Sequence, residues 1–173
     1  MRTFIALKFP PKVLMQIKEI QDVLPESLGK KTELKNLHLT LKFLGEVSLD
    51  KLEDIKLRLR TVKFIQFESE IKEIGFFDKQ ERGIFWLGIT NCENLQKEID
   101  KALEGLYEKE NRFMGHLTIE RTDKILDKKQ LMENIKKINI PKRFFIFDKF
   151  YLVCSKLKKE GPAYTVLEEY NLN

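Results

Sequence analysis

The chain carries two histidines, and both stand in one tetrapeptide frame: His38-Leu39-Thr40-Leu41 and His116-Leu117-Thr118-Ile119. On a β-strand, alternate side chains point to opposite faces. Each copy therefore offers an imidazole and a hydroxyl on one face and anchors itself with two apolar residues on the other. Histidine titrates near pH ~6.5, so one ring can be neutral while another is protonated at working pH. Brought face to face, the two motifs supply a base, an acid and two hydroxyl donors around one small anion. That set suits in-line displacement at phosphorus. The neutral ring takes a proton from the attacking oxygen, and the protonated ring gives one to the leaving oxygen. Thr40 and Thr118 hold the non-bridging oxygens as charge develops. A small cyclic phosphate fits, because its attacking and leaving oxygens lie on opposite sides of one phosphorus.

Arg121 follows the second motif, and a guanidinium can grip a phosphate through two hydrogen bonds. Simple alternation puts it on the face opposite His116. It reaches the same anion only if the strand ends or bulges first. The same alternation puts Glu120 on the His116 face, either orienting an imidazole or reaching solvent. Phe4, Phe113 and Tyr164 are candidates to stack on a base. A metal centre is not expected, since zinc takes three or four ligands and neither histidine has another ligand at helical spacing. There is no Gly-rich phosphate loop and no Ser-His-Asp set, so no cofactor is expected.

The elements that must position these groups follow from periodicity. Arg2 to Lys8 reads as a strand, and Pro11 opens a helix with Val13, Ile17, Ile20 and Leu24 on its apolar face. Thr32 to Lys35 reads as a short strand. Leu37 to Val47 reads as a long one, with Leu37, Leu39, Leu41 and Phe43 on one face and His38, Thr40 and Lys42 on the other. Ser48 caps a second helix carrying Leu52, Ile55, Leu59 and Val62. Strands Phe64 to Ile74 and Gly83 to Ile89 flank a turn at Asp78 to Arg82. Thr90 and Glu93 form a capping box for a third helix with Leu95, Ile99, Ala102, Leu103 and Leu106 inward. The second motif strand runs His116 to Arg121. Asp127 and Gln130 start a fourth helix, which Pro141 stops. Arg143 to Ser155 and Ala163 to Tyr170 pair as strands across a turn carrying Lys158, Lys159 and Gly161-Pro162. The fold class is α+β with antiparallel sheets, a single domain of two facing halves around a cleft.

The chain has 173 residues, 34% of them charged, with a formal net charge of +5. This favours anionic partners modestly, and each basic run taken alone reads as solvated surface. Cys92 and Cys154 make no disulfide framework and read as buried thiols in a reducing cytosol. The apolar start is cut by Lys8 and Pro10, so it is no signal peptide, and no stretch is long enough to span a membrane. A cytoplasmic monomer is the expectation.

With both motifs in hand, the chain resembles the 2H phosphoesterase superfamily. The closer match is to its RNA 2′,3′-cyclic phosphodiesterase branch, historically called 2′-5′ RNA ligases. The resemblance runs through Arg2-Thr3-Phe4-Ile5-Ala6, Asn36 to Val47, Gly75-Phe76-Phe77, Trp86-Leu87-Gly88, and Ser155, Leu157, Gly161, Tyr164 and Leu167. It implies a bilobed α+β fold of two pseudo-symmetric sheets. It implies His38 as proton donor, His116 as proton acceptor, and Thr40, Thr118 and Arg121 as phosphate ligands, with no metal and no cofactor. The implied substrates are RNA 2′,3′-cyclic phosphate ends, tRNA fragments among them, or cyclic nucleotides, opened to a 2′-phosphomonoester. Joining of RNA ends through a 2′-5′ link is related chemistry. Gly115 departs from the family, where proline is common, and Glu120 replaces a small residue. A non-catalytic RNA- or nucleotide-binding module on the same fold is the alternative.

Overall fold

The computed structural model describes residues 1–25, 29–79, 82–122, 127–159 and 161–173. In chain order the elements are β1 (Arg2–Leu7), α1 (Pro11–Asp22), β2 (Gly29–Lys31), β3 (Leu39–Glu46), α2 (Leu49–Leu59), β4 (Phe67–Lys79) and β5 (Arg82–Ile89). They continue with α3 (Glu93–Ala102), β6 (His116–Thr122), α4 (Lys128–Lys136), β7 (Phe144–Phe147), β8 (Lys149–Lys158) and β9 (Gly161–Asn171). The α+β class stands as expected. The turns expected around residues 80–81 and at residue 160 lie outside the described residues.

Local chemistry explains most boundaries. Pro11 sits at the first position of α1, where its missing N–H costs nothing, and Val13, Ile17 and Ile20 are buried. The Ser48 side chain accepts a hydrogen bond from the Lys51 N–H, and Asp50 stands in the first turn of α2. The Asp127 carboxylate caps α4 through the Gln130 N–H. The expected capping box of α3 does not form. The Thr90 hydroxyl instead accepts from the Glu70 N–H at 3.0 Å, and α3 starts from Cys92 without a side-chain cap. Two strand expectations also change. Leu34–Asn36 is a 3₁₀ turn, with the short strand earlier, at β2. The stretch Arg143 to Ser155 breaks at Asp148, so β7 pairs with β4 while β8 pairs with β1 and β9.

The strands form one antiparallel path, β7-β4-β5-β6-β3-β1-β8-β9, with β2 added on β6. The two halves expected as separate sheets are thus joined edge to edge. The ladder between β3 and β6 consists of one residue pair, Leu39 opposite Leu117. Both are fully buried in a single core that also takes Ile17 of α1, Ile55 of α2, Leu95 of α3 and Ile135 of α4. All four helices therefore cover one face of the sheet. The opposite face is open and carries its own small apolar cluster, Phe4, Ala6 and Val153 with Tyr151 and Tyr164 against it. Cys92 and Cys154 are both free and buried, as the composition suggested.

Candidate active site

Both motifs meet where the two halves join. Antiparallel pairing at Leu39 and Leu117 sets Thr118 across from His38 and Thr40 across from His116. Directly opposed side chains start roughly 4.5–5.5 Å apart and diagonal ones roughly 7–8 Å. The two histidines are such a diagonal pair, with the two threonines on the other diagonal. All four residues are half-buried on the open face, while Leu39, Leu41, Leu117 and Ile119 fill the core.

The imidazoles are held alike. His38 Nδ1 bonds the carbonyl of Asn36 at 2.7 Å, and His116 Nδ1 bonds the carbonyl of Met114 at 2.8 Å. A carbonyl oxygen only accepts, so each Nδ1 carries the hydrogen. This leaves Nε2 of each ring as the atom that can accept or give a proton, whichever charge state the ring adopts.

Their surroundings differ. His38 lies against Phe4, with ring centroids 4.8 Å apart, and Tyr164 meets it edge-on at 4.8 Å. Burial lowers the His38 pKa from its ordinary value, the Asn36 carbonyl opposes this, and the charges of Lys8 and Arg121 lower it further. The empty site therefore favours neutral His38. His116 has Phe77 edge-on at 5.4 Å and Trp86 at 6.5 Å.

A matched pair of β-bulges decides which other side chains share the histidine face. Along β6, Trp86 pairs with Thr118 and Phe85 with Glu120, so Ile119 is the extra residue. Along β3, Ala6 pairs with Thr40 and Ile5 with Lys42, so Leu41 is the extra residue. Each bulge falls on the fourth residue of its motif and reverses the alternation beyond it. Arg121 thereby turns to the histidine face, where it is exposed and its charge bears on both His38 and Tyr164. The bulge on which its place on the histidine face depends is thus present. Glu120 turns away and is buried, so it does not share the His116 face. In β3 the expected faces are likewise exchanged. Lys42 is buried, bonding Asp100 at 2.5 Å and the Glu108 carbonyl at 2.6 Å, while Phe43 stands 72% exposed on the open side.

The three aromatic candidates fare differently. Phe4 is 4% exposed and pinned against His38, so no base can stack on it. Phe113 packs against the main core. Tyr164 is half-buried, edge-on to both Phe4 and His38. Phe43 was hidden from the sequence reading by strict alternation. A signal was present, because the buried apolar positions Leu37, Leu39 and Leu41 are followed by Leu44, which breaks their parity.

Gly115, next to His116, is required by close backbone approach. A Cβ there would lie 2.6 Å from the Ile89 carbonyl oxygen, while the Ile89 N–H bonds the Gly115 carbonyl at 2.8 Å. Gly115→Ala is expected to push β5 and β6 apart at the site and cost about 1–3 kcal/mol. A urea midpoint unchanged from the parent protein contradicts this.

Sheet order, open face and twin motifs together define a phosphoesterase fold. A crystal structure of a Thermus thermophilus protein superposes with a TM-score of 0.82 at 25% identity, covering 99% of this chain and 98% of that one. Escherichia coli LigT in complex with 3′-AMP superposes with a TM-score of 0.78 at 23% identity over 99% and 97% of the two chains. Residues 7–86 match the family described as LigT like Phosphoesterase. The Methanocaldococcus jannaschii RNA 2′,3′-cyclic phosphodiesterase is 33% identical, covering 98% of this chain and all of that protein. The Thermotoga maritima protein of the same name is 34% identical, covering 98% and 94%. The chain belongs to the LigT-like phosphoesterase family.

Proposed function

We propose that this protein hydrolyses terminal 2′,3′-cyclic phosphates of RNA to 2′-phosphomonoesters, using His38 as acid and His116 as base. The observation that carries the reading is the matched pair of imidazoles, each fixed through Nδ1 to a backbone carbonyl and flanking one residue pair. The names of full-length relatives support the RNA substrate. Water attacks phosphorus and loses a proton to Nε2 of His116. The bond from phosphorus to the 3′ oxygen breaks, and that oxygen takes the proton from Nε2 of His38. Thr40, Thr118 and Arg121 hold the non-bridging oxygens, where charge-assisted bonds strengthen as the transition state forms. Burial, and after it the charges of Lys8 and Arg121, discourage a proton on His38. An anionic phosphate beside Arg121 offsets that field and stabilises the imidazolium. A 5′-hydroxyl in place of water gives the 2′-5′ link by the same step. RNA fragments with cyclic ends, such as cleaved tRNA, fit the chemistry, and a cytoplasmic monomer suffices for it.

The test is product analysis of a short RNA bearing a 2′,3′-cyclic phosphate, run with EDTA present. A 2′-phosphate with a free 3′-hydroxyl is expected. A 3′-phosphate, turnover that disappears with EDTA and returns with zinc, or tight binding without product each count against the reading. The pH dependence of kcat/KM follows from the site. The free enzyme must hold a proton on His38, whose pKa lies below the ordinary histidine value. Above that lowered pKa only a minority of the free enzyme holds the proton, so kcat/KM falls as pH rises through the alkaline range. NMR titration of the His38 ring should give a midpoint below pH ~6.5 in the free protein, and an ordinary or raised midpoint there contradicts the effect of burial and of the Lys8 and Arg121 charges.

A further inference from the structure

We propose that the outer edge of β7 is the docking site for a second copy of this chain, which lays its own β7 antiparallel against the first. The inference stands apart from the phosphodiesterase reading above. β7 ends the sheet, and among the described residues it pairs only with β4. Its outward N–H and C=O groups form an unpaired ladder, which is a template for another strand. Its side chains leave the same gap. Phe145 and Phe147 are buried in the main core, whereas Phe144 is 60% and Ile146 52% exposed. Their cross-strand neighbours in β4 are Glu70 and Glu68, so neither meets an apolar side chain there.

The opposite edge of the sheet is guarded. β9 carries Pro162, which has no N–H to give, and its Glu168 and Glu169 pair with Arg60 and Lys149. Proline and charge are the usual means of keeping an edge strand from joining another. The four residues of β7 are all apolar and hold neither device.

The occupant follows from the order of residues along the strand. Alternation puts Lys142, Phe144, Ile146 and Asp148 in one row, and all four are exposed. An antiparallel partner presents that row reversed. With a twofold axis through Phe145, Phe144 meets Ile146 of the second copy, Lys142 meets its Asp148, and each contact occurs again in reverse. Apolar then opposes apolar and cation opposes anion at every position. Sliding the register by two residues in either direction sets a charge against an apolar side chain instead. Among the described residues, neither Lys142 nor Asp148 makes an ion pair within its own chain, so both charges can serve the contact. Strands this short bury less than ~1,200 Å² in total, the low end of specific interfaces, so the dimer forms and parts with concentration. β4 and β5 stand between β7 and the motif strand β6, which leaves the histidines of each copy open.

Analytical ultracentrifugation over a wide concentration range tests this on the full chain. The parent should be monomeric when dilute and dimeric when concentrated, and salt should weaken the association. Lys142→Asp sets like charges opposite each other at both ends of the interface, and Asp148→Lys does the same with the other sign. Each should weaken self-association roughly ten- to a hundredfold while keeping the parent's urea midpoint, since both side chains are exposed. Mixed in equal amounts, the two variants should associate as the parent does, because each end again joins a cation to an anion. That rescue belongs to this register alone and depends on no catalytic assay. A parent that stays monomeric at millimolar concentration overturns the second copy as occupant of the edge. So does a dimer that both single variants leave intact, or a mixture of the two that stays apart.

Discussion

His38→Ala and His116→Ala each lower kcat for a 2′,3′-cyclic phosphate by roughly 10²–10⁴-fold, and the double variant loses little more than the worse single one. The magnitude is that of a positioned general acid or base, and the lack of additivity reflects two proton transfers that act in one step. The substitutions separate once the leaving group no longer needs a proton. A cyclic substrate with sulfur at the bridging 3′ position expels a thiolate, which departs unprotonated far more readily than an alkoxide. His38→Ala should recover most of its loss on that substrate, while His116→Ala should not, because water still needs its base. The reverse pattern exchanges the two assignments. Activity close to the parent in either variant on the oxygen substrate removes that histidine from the mechanism. Both substitutions should fold, since each ring is half-buried on the open face and lies outside the main core.

Much of this site was legible in the sequence because its logic is local. The frame His-Leu-Thr-apolar states which side chains share a face, and Leu39, Leu41, Leu117 and Ile119 are buried as that frame requires. That the two copies lie side by side was readable only as a chemical demand, since strand order is set by contacts far apart in the chain. The bulges mark the limit. A bulge exists only relative to a partner strand, so nothing within Leu41-Lys42-Phe43 announces it, and only the break of parity at the buried Leu44 follows from it. Extrapolated alternation consequently misplaced Lys42, Phe43 and Glu120, and gave Arg121 a place in the site only on condition of a bulge. Asp148 and Thr90 failed for a related reason. The first is a break between strands bound for opposite ends of the sheet. The second is a hydroxyl claimed by Glu70 of a neighbouring strand rather than by its own helix.

Lys42 is where the bulge carries its largest energetic consequence. Turned to the core side, its ammonium meets Asp100, whose other oxygen accepts from Gln96 Nε2 and from the Glu110 N–H, each at 2.8 Å. Burial alone would raise the Asp100 pKa, but the bonds from Lys42, Glu110 and Gln96 outweigh it and hold the carboxyl below its usual value. Lys42→Met leaves that carboxylate buried without a cation, a loss expected to cost about 3–5 kcal/mol in urea unfolding. Lys42→Met combined with Asp100→Leu should recover much of this, because it removes both charges and fills the space with apolar atoms. The pH dependence has a definite sign. A carboxyl whose folded pKa is depressed contributes stability above its unfolded pKa and loses it as pH falls through the folded one. The parent should therefore lose stability below pH ~4 more steeply than the double variant. The pair also ties β3, in the half that carries His38, to α3 and the loop leading to His116, beside a ladder of one residue pair. The stable double variant should accordingly keep its fold and lose kcat, because the two imidazoles no longer hold a common spacing around phosphorus. Parent-like kcat in that variant shows that the core contacts of Leu39 and Leu117 set the spacing without help from Lys42.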